Sequence, residues 1–165
     1  MNITIANRKK IEKLAENPFS SATALISCTD IENDPVKLQN MPDYVLRLQF
    51  DDVGIEDFAD FENNLPSEEE VSRLSRYYHI ITDEQAIQVA NFYNEIKDKV
   101  ELLICQCEHG ESRSVAIAAA IKQYECGEGI GYFVDERYFP NKTVYKKVYK
   151  ALSHKSCLMG DQRKE

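Results

Sequence analysis

The chain has 165 residues, of which 43% are hydrophobic and 29% are charged, with a net charge of −8. This length suits one domain with a sizeable core, so we expect a single domain over residues 1–165. An acidic chain whose longest basic run is Arg8-Lys9-Lys10 is a poor candidate for binding nucleic acid or an anionic membrane surface.

Cysteine usage and the N-terminal residues indicate a compartment. The chain has five cysteines, an odd number, and its first residues lack the apolar core of a signal peptide. No apolar run approaches membrane-spanning length. We therefore expect a cytoplasmic protein with reduced thiols.

Strand and helix patterns alternate in the first part of the chain. Asn2 to Ile5 is a candidate strand, and Arg8 to Ala15 has the apolar spacing of a helix. Thr23 to Thr29 is apolar and β-compatible, which predicts a central strand. A polar loop follows, and then Tyr44 to Phe50 alternates in the manner of a half-buried strand. The next residues, 51–66, are acidic and predict an irregular connection.

The second part of the chain begins with two predicted helices. Ser67 to Tyr78 is a short helix opened by Ser67, with acidic residues in its first turn. Thr82 and Gln85 form a capping box, and the residues behind them show an apolar face of helical period. The region therefore predicts two helices between the third and fourth strands.

The last predicted elements surround a cysteine-containing loop. Val100 to Cys105 is an apolar run short enough for a buried strand, and Val115 to Ile121 suits a buried helix. Three glycines then indicate a turn, Asn141 to Leu152 predicts a final helix, and Ser153 to Glu165 is expected to be a polar, frayed tail. Strands interleaved with helices predict an α/β fold with a mostly parallel sheet.

The loop between that strand and helix combines a thiol, an anion site and an arginine. Backbone N–H groups at a helix N-terminus lack intrahelical partners, and with the helix dipole they attract an anion. Cys107 at the start of the loop is favoured as a thiolate in this position. Arg113 at its end offers a planar fork that binds two oxygens of a tetrahedral oxyanion. These groups together predict cysteine-dependent phosphoryl transfer.

The loop resembles the Cys-x5-Arg-Ser/Thr signature of the protein tyrosine phosphatase superfamily. Its small dual-specificity branch has Cys-x-x-Gly-x-Ser-Arg-Ser, which Cys107, Gly110, Ser112, Arg113 and Ser114 match. The family usually has His before the cysteine, where this chain has Gln. The resemblance covers residues 23–152 and implies a four- or five-stranded sheet flanked by helices. A second Cys-x5-Arg match starts at residue 157, lacks a preceding apolar strand and is interpreted as accidental.

The signature assigns roles within the loop. The phosphate-binding residues are expected to be Glu108, His109, Gly110, Glu111, Ser112 and Arg113. Gly110 is expected to adopt a positive φ at a place where a side chain would obstruct the anion. By resemblance, the Ser114 hydroxyl bonds the cysteine sulfur and eases its departure. Cys105, two residues before the nucleophile, is interpreted as a packed thiol, with a disulfide that traps oxidised Cys107 as the alternative.

The resemblance also implies a carboxylic acid that protonates the leaving group, placed after an upstream strand. Asp51 and Asp52 follow the third predicted strand. Strand alternation puts Asp52 on the side of Leu48 and Phe50 and Asp51 on the other, which favours Asp52, with Asp51 as the alternative. Both could instead cap a turn, as aspartate often does.

The sequence thus predicts a cytoplasmic, cysteine-dependent phosphatase acting on phosphotyrosine or a similar monoester, in a phosphorylated protein or a small phosphate ester. No metal or cofactor is implied. One alternative is a catalytically silent relative that binds phosphorylated ligands through the same loop. Another is a different thiolate enzyme, such as a sulfurtransferase or an arsenate reductase. The pattern leaves the oligomeric state open.

Overall fold

The computed structural model describes residues 1–60, 62 and 64–160, with side chains as far as residue 154. Within these residues a central sheet has four strands: β1 Asn2–Ala6, β2 Thr23–Thr29, β3 Tyr44–Gln49 and β4 Leu102–Gln106. Their order is β1-β4-β2-β3, and every pairing is parallel. The predicted α/β fold with a parallel sheet is confirmed.

Helices follow the strands in the alternation that a parallel sheet requires. The helices of the described chain are α1 Arg8–Leu14, α2 Glu68–Leu74, α3 Asp83–Ile96, α4 Arg113–Cys126, α5 Gly131–Val134 and α6 Lys142–Gly160, together with a short 3-10 helix over Ile55–Phe58. The capping box at the start of α3 is present, with Thr82 Oγ1 accepting from Gln85 N at 3.2 Å and Gln85 Oε1 accepting from Thr82 N at 3.0 Å. None of the described helices combines the length and apolarity that crossing a membrane demands.

The sheet separates two apolar cores of unequal size. On one face, α3, α4 and α6 pack against alternate residues of β2 and β4, such as Ile26 and Leu103. On the other face, Ile11 of α1 packs with Leu25 and Ile104. All seven residues of β2 are buried, as expected for the predicted central strand covered on both faces.

The structure differs from the prediction in two places near the C-terminus. The polar tail expected from Ser153 is helical as far as Gly160, because the chain has neither Pro nor Gly between Pro140 and Gly160. Residues 161–165 lie outside the described part, and with them the last three residues, 161–163, of the second Cys-x5-Arg match. The glycine-rich turn contains the additional one-turn helix α5.

Candidate active site

Cys107 lies directly after β4, at the edge of the sheet where parallel strands end and ligands of such sheets bind. Its side chain is 1% exposed. The Sγ atom accepts a hydrogen bond from Gly110 N at 3.3 Å and lies 3.1 Å from Ser114 Oγ. The segment Cys107–Ser114, called the cysteine loop below, therefore curls around the sulfur and brings the matching serine into contact with it.

Peptide orientation in the cysteine loop is set by bonds from outside it. The Glu108 carbonyl accepts from Arg8 N at 3.2 Å, and the Glu111 carbonyl accepts from Phe139 N at 2.8 Å. In a planar trans peptide the C=O and the following N–H point in opposite directions. The N–H groups of His109 and Ser112 therefore point away from the surrounding chain, as a cradle for an anion requires.

Gly110 adopts a φ of +75°, as expected, and the structure shows a further reason for glycine. A Cβ at this position would lie 2.9 Å from Asn7 N and 3.1 Å from the carbonyl carbon of Ala6. The obstacle there is the backbone that joins β1 to α1. Glycine thus lets the loop sit against the end of the neighbouring strand.

Arg113, the first residue of α4, is a buried cation with one unused donor. Its side chain is 2% exposed, and Nη1 donates to the Phe50 carbonyl at 2.6 Å and pairs with Asp30 Oδ1 at 2.9 Å. Its Nε has no hydrogen-bond partner among the described residues; Asp52 Oδ2 is 3.7 Å away. Burial acts to lower the pKa of Arg113, but Asp52 and Asp30 hold it above its ordinary value. The guanidinium stays charged and has a donor left for another acceptor.

Asp52 contacts the cysteine loop from the end of β3. Its Oδ1 accepts from Ser112 Oγ at 2.6 Å and from Asn141 Nδ2 at 3.2 Å. The side chain is 32% exposed. The structure thus brings Asp52 together with Ser112 and Arg113 at the mouth of the loop.

Asp51 points to a different part of the surface. It accepts from His79 N at 2.9 Å and from Ile31 N at 3.4 Å. Burial acts to raise the pKa of Asp51, but these backbone bonds and the His79 ring hold that pKa below its ordinary value. Asp51 therefore anchors the chain around His79 and makes no contact with the cysteine loop in the described structure.

Comparison with known proteins defines the fold. No protein-family model and no curated protein sequence matches the chain. A mouse dual specificity phosphatase, crystallised with zinc tungstate, is similar in structure with a TM-score of 0.51 at 14% identity, over 95% of this chain and 86% of that chain. Human DUSP28 is similar with a TM-score of 0.51 at 13% identity, over 94% of each chain. The chain has the protein tyrosine phosphatase fold.

The remaining acidic and basic residues of the cysteine loop face outward. Glu108 forms a two-pronged ion pair with Arg8, at 2.7 Å from Nε and 2.6 Å from Nη2. This hydrogen bond is the main reason that the pKa of Glu108 is lowered. The side chains of His109 and Glu111 are exposed. The Glu108 carboxylate is therefore occupied by Arg8, and the His109 and Glu111 side chains extend toward solvent.

Two further thiols, Cys28 and Cys105, lie in the apolar core. Burial raises the pKa of Cys28 and Cys105, and both side chains are completely buried. A thiol held neutral in apolar surroundings is a poor nucleophile. Gln106, which takes the place of the usual His, accepts from Ser27 Oγ at 2.6 Å and so joins β4 to β2.

Three residues of the site were not singled out from the sequence. Asp30 follows β2 and pairs with Arg113, Asn141 binds Asp52 and caps α6, and Arg8 holds Glu108. The sequence could have indicated Asp30, because it follows a strand at the same sheet edge as Cys107 and Asp52. Local sequence does not indicate Asn141 or Arg8, since their contacts join segments far apart in the chain. Across the described ranges, no group of three or more His, Cys, Asp or Glu side chains is placed to hold a metal.

Proposed function

We propose that the chain is a cysteine-dependent phosphatase that hydrolyses phosphate monoesters, phosphotyrosine or a similar ester, through a phosphocysteine intermediate. The observation that carries the proposal is Arg113, a buried charged guanidinium with a free Nε, beside the Cys107 thiol. A buried donor without an acceptor is costly, and a bound oxyanion supplies the acceptor. Burial in a low-dielectric site strengthens that interaction.

In the first step the Cys107 thiolate attacks phosphorus. The Sγ–P bond forms and the P–O bond of the ester breaks, with the electron pair going to the ester oxygen. Arg113 and the cysteine-loop N–H groups bind the three non-bridging oxygens, where charge is concentrated in the transition state. Asp52 gives its proton to the leaving oxygen.

In the second step water hydrolyses the phosphocysteine. Asp52, now ionised, takes a proton from the attacking water, and the Sγ–P bond breaks. The Ser114 hydroxyl, 3.1 Å from Sγ, donates a hydrogen bond to the departing thiolate. Inorganic phosphate leaves, and the Cys107 thiolate and the protonated Asp52 are regenerated.

Asp52 is preferred as the acid because only one of its two carboxyl oxygens accepts hydrogen bonds among the described residues. Asp51 accepts bonds on both carboxyl oxygens, and Asp30 uses one oxygen for Arg113 and the other for Asn33. Asp52 uses Oδ1 for Ser112 and Asn141, so its Oδ2 remains to carry a proton. That oxygen is 3.7 Å from Arg113 Nε, the donor assigned to the phosphoryl group.

Two further observations support the proposal. The similar mouse phosphatase was crystallised with tungstate, a tetrahedral oxyanion like phosphate. Cys28, Cys105, Cys107 and Cys126 are all free thiols, which suits a nucleophilic cysteine in the reducing cytoplasm. The partner we propose is therefore a phosphorylated protein or a small phosphate ester.

The test is hydrolysis of p-nitrophenyl phosphate by the purified protein. We expect turnover by wild type, and a loss on the order of 10⁶-fold in Cys107→Ser, as for removal of other covalent nucleophiles. Cys126→Ser is the matched control, because that thiol is exposed and remote from the cysteine loop, and it should retain the wild-type rate.

Binding is measured on the same proteins. Vanadate should raise the melting temperature of wild type, and phosphate that of Cys107→Ser. Oxyanion binding without turnover would identify a phospho-ligand-binding module. Turnover of thiosulfate or arsenate in place of phosphate esters would identify one of the other thiolate enzymes.

A further inference from the structure

An exposed aromatic ring shares a cavity with the proposed acid. The cavity has a volume of about 390 Å³ and is lined by Asp52, Ser112, Phe139, Pro140 and Asn141, among others. Phe139 is 72% exposed. Single exposed apolar side chains are common on protein surfaces and need no explanation by themselves. The Phe139 side chain is of interest because it lies beside the proposed acid and the cysteine loop.

The backbone of Phe139 is fixed to the site from both sides. Its N–H donates to the Glu111 carbonyl of the cysteine loop at 2.8 Å. Pro140 restricts its backbone to extended conformations. Asn141, two residues on, binds both Asp52 Oδ1 and the first turn of α6. The ring is therefore carried by a segment whose position is tied to both the anion cradle and the acid.

Neighbouring aromatic side chains have partners that Phe139 lacks. Tyr138 lies 6.3 Å from the Tyr132 ring and under the Arg137 guanidinium, and Phe133 packs against Tyr145 at 5.0 Å. In the part of the chain that the structure describes, Phe139 contacts no other aromatic ring. Its faces are available to a ligand in the cavity.

We propose that Phe139 is a specificity residue that packs against the aryl ring of the leaving group and selects phosphotyrosine over phosphoserine. The inference rests on the proposed function. When Asp52 Oδ2 protonates the ester oxygen, the group bonded to that oxygen must occupy the space next to Asp52. Asp52 and Phe139 line one cavity, which the leaving group would enter. An aryl ring placed there stacks on Phe139 in an offset or edge-to-face manner, whereas the short alkyl chain of serine leaves the ring uncovered.

The test compares kcat/KM for phosphotyrosine and phosphoserine peptides of the same sequence. Phe139→Ala should lower kcat/KM for phosphotyrosine by about three- to tenfold, which corresponds to the free energy of one aromatic pair. Most of this loss should appear as a higher KM. Its effect on phosphoserine and on competitive inhibition by inorganic phosphate should stay within about twofold. Phe139→Tyr should restore the preference, because the ring is kept.

Val134→Ala is the matched control. Val134 is 74% exposed, is apolar and lies outside the cavity, so its removal should alter neither substrate. An equal loss on both substrates in Phe139→Ala, or no loss on either, overturns the inference while leaving the phosphatase assignment intact.

A second measurement tests binding in a variant that does not hydrolyse the substrate. The affinity of Cys107→Ser for phosphotyrosine relative to inorganic phosphate should fall about three- to tenfold when Phe139→Ala is added. An unchanged ratio overturns the role of Phe139. If neither phosphotyrosine nor phosphate binds, the proposed function and this inference both fall.

Discussion

Two strand ends meet at the candidate site, and they are held in different ways. After β4, the Cys107 sulfur is contacted by Gly110 and Ser114 of its own loop, although bonds from Arg8 and Phe139 orient two peptides of that loop. After β3, Asp52 is held by Ser112 and Asn141, which are 60 and 89 positions away in the chain. The contacts to the sulfur are thus local, whereas the proposed acid is placed by tertiary contacts.

We expect from this difference that the proposed oxyanion binding and the proposed proton donation are separable. Changes at the end of β3 should reduce catalysis and spare oxyanion affinity. Changes within the cysteine loop should reduce both. Each prediction below probes one side of this division.

The largest effect expected from the β3 side is that of Asp52→Asn. Loss of a general acid costs about 10²–10⁴ in rate, and the cost grows as the leaving group becomes poorer. We expect that loss for an alkyl phosphate, a smaller one for p-nitrophenyl phosphate, and loss of the alkaline limb of the rate–pH profile. Inhibition by inorganic phosphate should change little.

Asp51→Asn is the control, because its carboxylate faces His79 and Ile31. It should retain the leaving-group dependence of wild type. If Asp51→Asn shows the loss and Asp52→Asn does not, the acid has been assigned to the wrong face of the strand.

On the cysteine-loop side, Arg113→Lys should lower kcat/KM by about 10²–10³, the cost of losing one oxyanion donor. Lysine keeps the charge but cannot make two parallel bonds to one anion. Unlike Asp52→Asn, this change should also weaken inhibition by phosphate and protection by vanadate. Enzyme kinetics together with thermal shifts measure both, and unaltered phosphate inhibition would contradict the assigned role of the guanidinium.

Gly110→Ala should destabilise the protein by about 2–4 kcal/mol and abolish vanadate protection. The new Cβ meets the backbone of Ala6 and Asn7 in addition to the strain of a positive φ. Gly127→Ala is closely matched, since Gly127 has a φ of +76° but no atom within 4 Å of its ideal Cβ. It should cost only about 1–2 kcal/mol and keep vanadate protection. Urea titration of the two variants separates crowding from strain, and equal costs would rule crowding out.

The smallest effect expected is that of Glu108→Gln, which breaks the partly exposed pair with Arg8. The cost at neutral pH should be below about 1 kcal/mol. Because the folded state holds the pKa of Glu108 below its ordinary value of 4.5, the ion pair stabilises the fold above that value and ceases to do so as the pH falls through the folded value. Melting temperatures of wild type and variant should therefore converge in acid. A difference in melting temperature that persists unchanged in acid would contradict this role of the pair.

The parts of the structure that could be predicted are those set by local pattern. The strand Thr23–Thr29 and the capping box at Thr82 were predicted at the residues where they occur. The sheet edge followed from the strand–helix alternation, which also explains why Asp52 and Cys107 lie near each other. The predicted C-terminal end of α6 was wrong because a polar stretch was assumed to end the helix, whereas the first helix-breaking residue is Gly160.

The parts that could not be predicted depend on contacts between distant segments. Nothing near Arg8 indicates that it pairs with Glu108, 100 residues away. The further reason for glycine at position 110 was also beyond the sequence, because it depends on how closely the end of β1 approaches the cysteine loop. Local pattern thus indicates which residues a site contains, and tertiary structure determines what surrounds them.

The burial of α4 limits how this protein can diversify. Nine consecutive residues, from Arg113 to Ile121, are buried, including a run of three alanines over positions 118–120. Larger side chains there would overpack the core on all sides of the helix. Enlarged side chains in α4 should therefore destabilise the fold, whereas substitutions of the exposed Phe139 ring should leave the fold intact.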